Sequence, residues 1–277
     1  MPAVEGFVTE PSLRVVGVSS PDPAVLAEWG DEFCPDAKGD AESTFSRMLG
    51  LADTISPSEM LVEFGGRQCY RSFRKGRDSR AYLRNIIDSG HGSVLEHVSL
   101  NIAMAGVSRS FSLELIRHRA GTGISQESQR YVPAREVRFV VPPLMVQRFE
   151  ADAAYREARI KERDTVIEAY IRAQEIATEE VEKLDIDGTD RKKRVNEAAR
   201  AVLPNEAETR MLWTGNLRAL RHIIALRGAI GADLEMRRWA KVLLDVVTPY
   251  APNIFEDFEV GTAPDGFPVV CCESWKV

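Results

Sequence analysis

Val98-Ser99-Leu100-Asn101-Ile102-Ala103-Met104 alternates apolar residues with small or polar ones. That period of two puts Val98, Leu100, Ile102 and Met104 on one face of a strand. Upstream, Asp78 or Ser79 can cap a helix in which Leu83, Ile86 and Ile87 follow at i, i+3 and i+4, with Gly90 at its end. Downstream, residues 108–118 read as a helix broken at Gly121 and Gly123. Val137, Phe139 and Val141 alternate in a second strand that Pro142-Pro143 stops. Residues 144–184 form one long helix or two, and 190–203 another, closed at Pro204. Thr209 to Thr214 reads as a strand, Asn216 as the cap of a helix reaching Arg227, and 232–247 as the last helix. Regular strand–helix alternation is missing, as are GxGxxG and GxxxxGK[ST] motifs. The expected class is therefore α/β of the α+β kind, with antiparallel strands, in one domain over residues 1–277. Residues 1–55 read as an N-terminal extension with short elements.

The chain has 277 residues, with 36 Lys plus Arg against 42 Asp plus Glu, a formal net charge of −6. That acidity argues against a nucleic-acid polymer as partner, but leaves room for a phosphorylated small molecule held by a few arginines. No apolar run approaches the roughly 18 residues of a membrane helix, and the start Met1-Pro2-Ala3-Val4-Glu5-Gly6 has no features of a secretory signal. Four cysteines, with no CxxC pair, suggest neither a disulfide framework nor a structural zinc site. A reduced, cytoplasmic protein without a membrane partner is expected.

Three segments carry polar residues that packing does not require. The first is His91-Gly92-Ser93-Val94-Leu95-Glu96-His97, which can hold the edge of a flavin or pterin, or be a capping turn with one buried histidine. Its spacing does not match HxxEH, because Val94 stands where a histidine is needed. The second runs from Arg117-His118-Arg119 through Gly121 and Gly123 to Ser128-Gln129-Arg130-Tyr131. Glycine loops let backbone N–H groups approach an anion, and guanidinium forks bind phosphate bidentately. A nucleotide site needs this mixture; a solvated basic face is the alternative. The third joins Arg200 to Pro204 with Trp213 to Arg218, His222 and Arg227, where Arg218 and His222 share a helix face; taken alone it reads rather as the charged outer face of two surface helices. All four histidines lie in these segments.

The second segment resembles the signature of the flavin-dependent thymidylate synthases, RHR followed by seven residues and a serine. His91 to His97 is similar to that family's H-x-[ST]-x-x-E-H element, and Arg67-Gln68-Cys69-Tyr70 to its R-x-[SC]-[YF] element. Arg200 to Pro204 and Trp213 to Arg227 match R-x-V-L-P and W-T-x-N-x-R…L-R, so the resemblance covers about residues 57–258. It implies a central antiparallel sheet flanked by helices, and a homotetramer with active sites at subunit interfaces. It also implies a methyltransferase that places a methyl group on C5 of a uridine 5'-monophosphate, with FAD as cofactor and NADPH and methylenetetrahydrofolate as co-substrates. By position, Cys69, His91, Ser93, Arg117, His118, Arg119, Asn216, Arg218 and His222 would hold FAD. Glu114, Arg117, Gln126, Ser128, Gln129, Arg130, Arg200 and Arg227 would hold dUMP or UMP, with Glu96 supporting the His91 region. Ser128, Arg227 and His91 would act in catalysis, Ser128 as an orienting group and Arg227 by stabilising charge on the uracil oxygens. No cysteine stands in the Pro-Cys-His context of the thiolate-dependent thymidylate synthases, so no thioether to the pyrimidine is expected.

The sequence departs from the family pattern in three ways. Eight residues separate Arg119 from Ser128, Glu114 and Gln126 replace the commoner Gln and Glu, and Gly231 stands where some members have histidine. A longer loop resembles the branch that methylates UMP as well as dUMP in nucleoside-antibiotic pathways. C5 hydroxymethylation of the same nucleotide and a non-catalytic nucleotide- or RNA-binding protein are the alternatives.

Overall fold

The structure, a computed structural model, describes residues 4–33, 55–73 and 77–274. The 98–104 alternation is realised as β3 (Ser99–Ser108), with Leu100, Ile102 and Met104 buried. β3 belongs to a four-stranded sheet ordered β2 (Ser12–Val18), β3, β6 (Glu208–Asn216), β4 (Thr122–Gln126). At every junction the partner numbers run in opposite directions. Ser19 N donates to Ser99 O, whereas Gly106 lies against Glu10 and Pro11. Arg109 N donates to Ala207 O and Leu217 N to Val98 O; Glu127 N donates to Arg210 O and Asn216 N to Gly121 O. The central sheet is antiparallel, as expected, with helices around it.

By contact density the chain divides into two compact units, and the division cuts through all four strands of this sheet, β2, β3, β4 and β6. The first comprises residues 1–12, 104–117 and 124–212. Here β1 (Phe7–Val8) pairs in parallel with β5 (Phe139–Val140), and the Phe7 ring meets Phe139 edge-on and Phe149 at 5.0 Å. Of the expected 137–141 strand only Phe139–Val140 form a strand, parallel to β1, while an isolated antiparallel bridge joins Phe139 to Ala207 and Glu208 N donates to Arg138 O at the start of β6. Residues 144–184 resolve into α5 (Val146–Ala151) and α6 (Ala153–Val181), because Asp152 caps a new helix at Tyr155 N. Asp187 likewise starts α7 (Gly188–Ala199), two residues earlier than expected. Glu208 locks the first half of β6: its Oε1 accepts from Gly106 N at 2.8 Å, and Arg138 grips the carboxylate through Nε and Nη2. Gly106 has φ +72°, and a side chain there would come within 2.6 Å of Glu10 O.

The second unit holds residues 13–103, 118–123 and 213–277. α1 (Pro23–Phe33) lies here, as does α2 (Pro57–Tyr70), which opens with a Ser56–Glu59 capping box. The Glu59 carboxylate also accepts from Asn253 N at 2.6 Å. α3 (Ser79–Asp88) is capped by Asp78, as expected. α8 (Leu217–Gly228) and α9 (Leu234–Val247) pack on the tail, which forms an antiparallel hairpin, β7 (Phe258–Thr262) and β8 (Pro268–Cys272). Two arginines, each 1% exposed, nail that hairpin down. Arg221 bonds both oxygens of Asp257 at 2.7 and 2.8 Å, and the Ile254 carbonyl. Arg237 donates to Asp265 and to the Pro268 and Phe267 carbonyls.

Burial alone would raise the Asp257 carboxyl, but the Arg221 hydrogen bonds and charge outweigh it and hold the group below its ordinary value. A depressed folded value means that the contribution to stability is full above the unfolded value, about pH 4, and is lost as pH falls through the lower folded value. Asp257→Asn is expected to cost about 3 kcal/mol at neutral pH, since it leaves a buried guanidinium uncompensated. It should also shrink the drop in melting temperature below about pH 4, measured by thermal melts across pH.

Candidate active site

α8 starts where Asn216 Oδ1 accepts the Ala219 N–H at 2.8 Å. Opposite that cap the chain turns through Gly121, which has φ +67° and where any side-chain carbon would run into the Asn216 amide. Thr122 Oγ1 donates to His118 O at 2.7 Å and closes the turn. The turn brings the His118 ring edge-on to His222, 6.2 Å between centroids, and its Nε2 accepts from Arg227 Nε at 2.8 Å. In this arrangement Nε2 carries no proton of its own. Arg119 is exposed beside this group.

A second feature of the same unit is a cavity of about 620 Å³. Cys69, His91, Ser93 and Arg218 line it, together with residues the sequence did not point to: Arg77, Tyr82 and Asn85. His91 is exposed rather than buried, and stacks on Tyr70 at 5.9 Å, so the capping turn with a buried histidine is not what forms. Glu96 pairs with Arg218 Nη1 at 2.6 Å. The floor is set by Arg67, which is fully buried and donates to Glu63 Oε1 at 2.7 Å, Ser72 O and Arg77 O, with the Tyr82 ring 4.2 Å beneath it. Polar donors from several segments around partly apolar walls (Ile86, Val94) suit part of a dinucleotide cofactor: cations for phosphate, amide and phenol for a base. Among the described residues no group of His, Cys, Asp and Glu could hold a metal ion.

The first unit collects the remaining candidates. Gln126 Nε2 donates to Thr209 Oγ1 at 3.0 Å, and Arg109 Nη1 to the same oxygen at 3.3 Å. Burial, and then the charge of Arg200, push the Arg109 guanidinium below its usual value, and Glu127 opposes them. Arg109 and Gln126 thus bring a guanidinium and an amide donor to one oxygen, a grouping that suits an anion. Sequence reasoning missed Arg109, although its position was a signal. It opens α4 (Arg109–Leu115), where a cation opposes the helix dipole and so needs another reason to be present. Glu114 and Arg117 are 4.0 Å apart on and just past that helix. Ser128 Oγ accepts from Arg130 N, Gln129 is half-buried, and Arg130 Nε pairs with Glu197 at 2.8 Å. Arg200 is exposed at the end of α7, one turn beyond Asn196.

The family model described as "Thymidylate synthase complementing protein" matches residues 50–253. The flavin-dependent thymidylate synthase of Mycobacterium tuberculosis (strain H37Rv) is 46% identical over 216 residues, 74% of this chain and 82% of that protein. The enzyme of Mycobacterium marinum (strain M) is 45% identical over 218 residues, 75% and 82% of the two chains. A crystal structure of the flavin-dependent thymidylate synthase of Helicobacter pylori, complexed with FAD and dUMP, shares 25% identity at a TM-score of 0.49, over 73% of this chain and 95% of that one. By its matched residues the chain belongs to the flavin-dependent thymidylate synthase family, and it is an enzyme of that type. No helix among the described residues is long and apolar enough to cross a membrane.

Gly121→Ala is expected to destabilise the protein by about 1–2 kcal/mol through left-handed strain. It should also disturb the His118 ring, because the new methyl collides with the Asn216 cap; thermal melts and the histidine NMR signals would report both.

Proposed function

We propose that this enzyme converts a uridine 5'-monophosphate, dUMP and also UMP, to its C5-methyl product, with FAD bound and with methylenetetrahydrofolate and NADPH as co-substrates. The meeting of Arg109 and Gln126 at Thr209 Oγ1, at 3.3 and 3.0 Å, supports this reading most: with Arg200 as a second cation, this cluster of donors is a seat for one compact dianion, which a nucleotide 5'-phosphate provides. When bound and reduced by NADPH, the flavin would supply the hydride that turns the transferred methylene into a methyl group. The chain's own residues do the rest. Arg130, Ser128, Gln129 and Gln126 hold the nucleotide near that seat, with Glu114 and Arg117 on the adjoining helix. Ser128 Oγ already takes part in a turn bond to Arg130 N, which fits an orienting group better than a nucleophile. Arg227 is held by its Nε on His118, so its guanidinium has a fixed plane from which to stabilise charge on the uracil oxygens. Cys69, His91, Ser93 and Arg218, which line the 620 Å³ cavity, would hold one part of the flavin cofactor, and His118, Arg119, Asn216 and His222 would hold the rest of it.

UMP is included because of the eight-residue spacing between Arg119 and Ser128. The β4–β6 register is continuous from Gly121–Asn216 to Glu127–Arg210, so the extra residue makes no bulge in the paired stretch. A longer approach to the serine gives a ribose 2'-hydroxyl more room. The working enzyme is proposed to be a cytoplasmic homotetramer, checked by light scattering with FAD bound.

The purified enzyme is expected to be yellow. Arg200→Ala should weaken dUMP binding by about 10- to 100-fold, the scale of a lost charged hydrogen bond, without loss of flavin. Calorimetric titration with a flavin absorbance check tests this; unchanged dUMP affinity contradicts the assignment.

A further inference from the structure

α6 and α7 bury a polar network where two helices would ordinarily meet through aliphatic side chains. Tyr170 is fully buried, and Gln174 and Asn196 are each 6% exposed. Gln174 Nε2 donates to Asn196 Oδ1 at 2.8 Å, and Arg135 Nε donates to Gln174 Oε1 at 2.9 Å. The Tyr170 hydroxyl accepts from Ala134 N at 3.1 Å. Asn196 Nδ2 donates to the backbone carbonyl of Arg130 at 3.0 Å. Buried amides are costly unless their bonds are made, so the network earns its place only through what it holds. It holds both ends of one loop: Arg130 at the start, and Ala134 with Arg135 at the close. Glu197, the residue after Asn196, grips the Arg130 side chain from the same helix end, and Arg200 follows one turn later.

We propose that Asn196 is a positioning residue for nucleotide binding. Its amide fixes the Arg130 backbone, and thereby aims the Ser128–Arg130 loop at the phosphate seat that Arg200 helps to form. This rests on the reading of Arg130 and Arg200 as nucleotide ligands. The orientation of the Asn196 amide is set by Gln174. Because the Gln174 amide donates to Asn196 Oδ1, Asn196 must present its N–H₂, not its oxygen, to Arg130 O. Placing an oxygen there turns attraction into repulsion without changing the side chain's size.

The test titrates dUMP, and separately UMP, into purified flavin-loaded wild type, Asn196→Asp, Asn196→Ala and Tyr170→Phe, with melting temperature and flavin content measured in parallel. Asn196→Asp and Asn196→Ala are expected to raise the Kd for dUMP on the order of tenfold, the scale of one hydrogen bond. KM should rise in step, with kcat within about twofold and flavin content unchanged, since binding and not chemistry is touched. Asn196→Ala carries the test if the aspartate variant fails to fold. Tyr170→Phe removes the hydroxyl that accepts from Ala134 N at the far end of the loop, together with its longer contacts to Gln174 Nε2 at 3.3 Å and Asn196 Oδ1 at 3.5 Å; it should lower the melting temperature and raise the dUMP Kd clearly less than the Asn196 variants do. Wild-type affinity in both Asn196 variants overturns the inference. So does an equal loss of affinity in Tyr170→Phe, which would mean that general loosening of the helix pair is the cause. Wild-type enzyme that binds neither nucleotide overturns the nucleotide reading itself, and this inference with it.

Discussion

β6 is hydrogen-bonded on both edges, to β3 and to β4, and those bonds fix where nearly every candidate side chain starts. Its first residues, Glu208 and Thr209, tie down Gly106, Arg138, Gln126 and Arg109. Its last residue, Asn216, caps the helix that carries Arg218, His222 and Arg227, and meets the Gly121 turn that follows Arg117-His118-Arg119. A strand has a period of two, so a one-residue slip would turn Thr209 and Met211 outward and bring Arg210 and Leu212 in. The buried Trp213 and the Glu208–Arg138 pair make that slip costly. Register, rather than any single catalytic group, is what the site depends on.

Charge follows the same economy. The chain carries net charge −6, yet it concentrates arginines where backbone geometry is already set. Three of them, Arg67, Arg221 and Arg237, are buried and act as internal clamps on loops and the tail hairpin. Each satisfies several carbonyls or a carboxylate at once, which a lysine's point charge cannot do in a plane. Arg109, Arg130, Arg200 and Arg218 are only partly covered and remain within reach of an anion. One residue type thus holds the walls and provides the binding groups.

What could be read from sequence, and what could not, separates along physical lines. The β3 alternation is plain because one face is fully buried and the other is not. The helix starts at Asp78 and Asn216 are plain because a short polar cap precedes an apolar period. β4 is invisible: Thr122-Gly-Ile-Ser-Gln lies at a sheet edge with both faces largely exposed, so no alternation arises and its glycine reads as a break. The β7–β8 hairpin is hidden in the same way, by proline, glycine and exposed faces. Of the site, the RHR turn, His91, Ser93, Arg200 and Arg227 were legible through motif spacing. Tyr82 and Asn85 were not, since only the fold reveals that they line the same cavity as His91 and Ser93, and Arg109 was not, since only the fold brings it to Thr209 beside Gln126. The clamps escaped notice because arginine on a helix ordinarily means a wet surface. Cys34 lies outside the described residues.

The most direct measurement is anaerobic reduction of the enzyme-bound flavin by NADPH with dUMP, UMP or no nucleotide present, followed by methylenetetrahydrofolate and product mass. The account predicts flavin bleaching that accelerates with either nucleotide, and a product heavier than its substrate by one CH₂. A flavin that NADPH reduces equally well with and without nucleotide, with no mass change in dUMP or UMP, would contradict it.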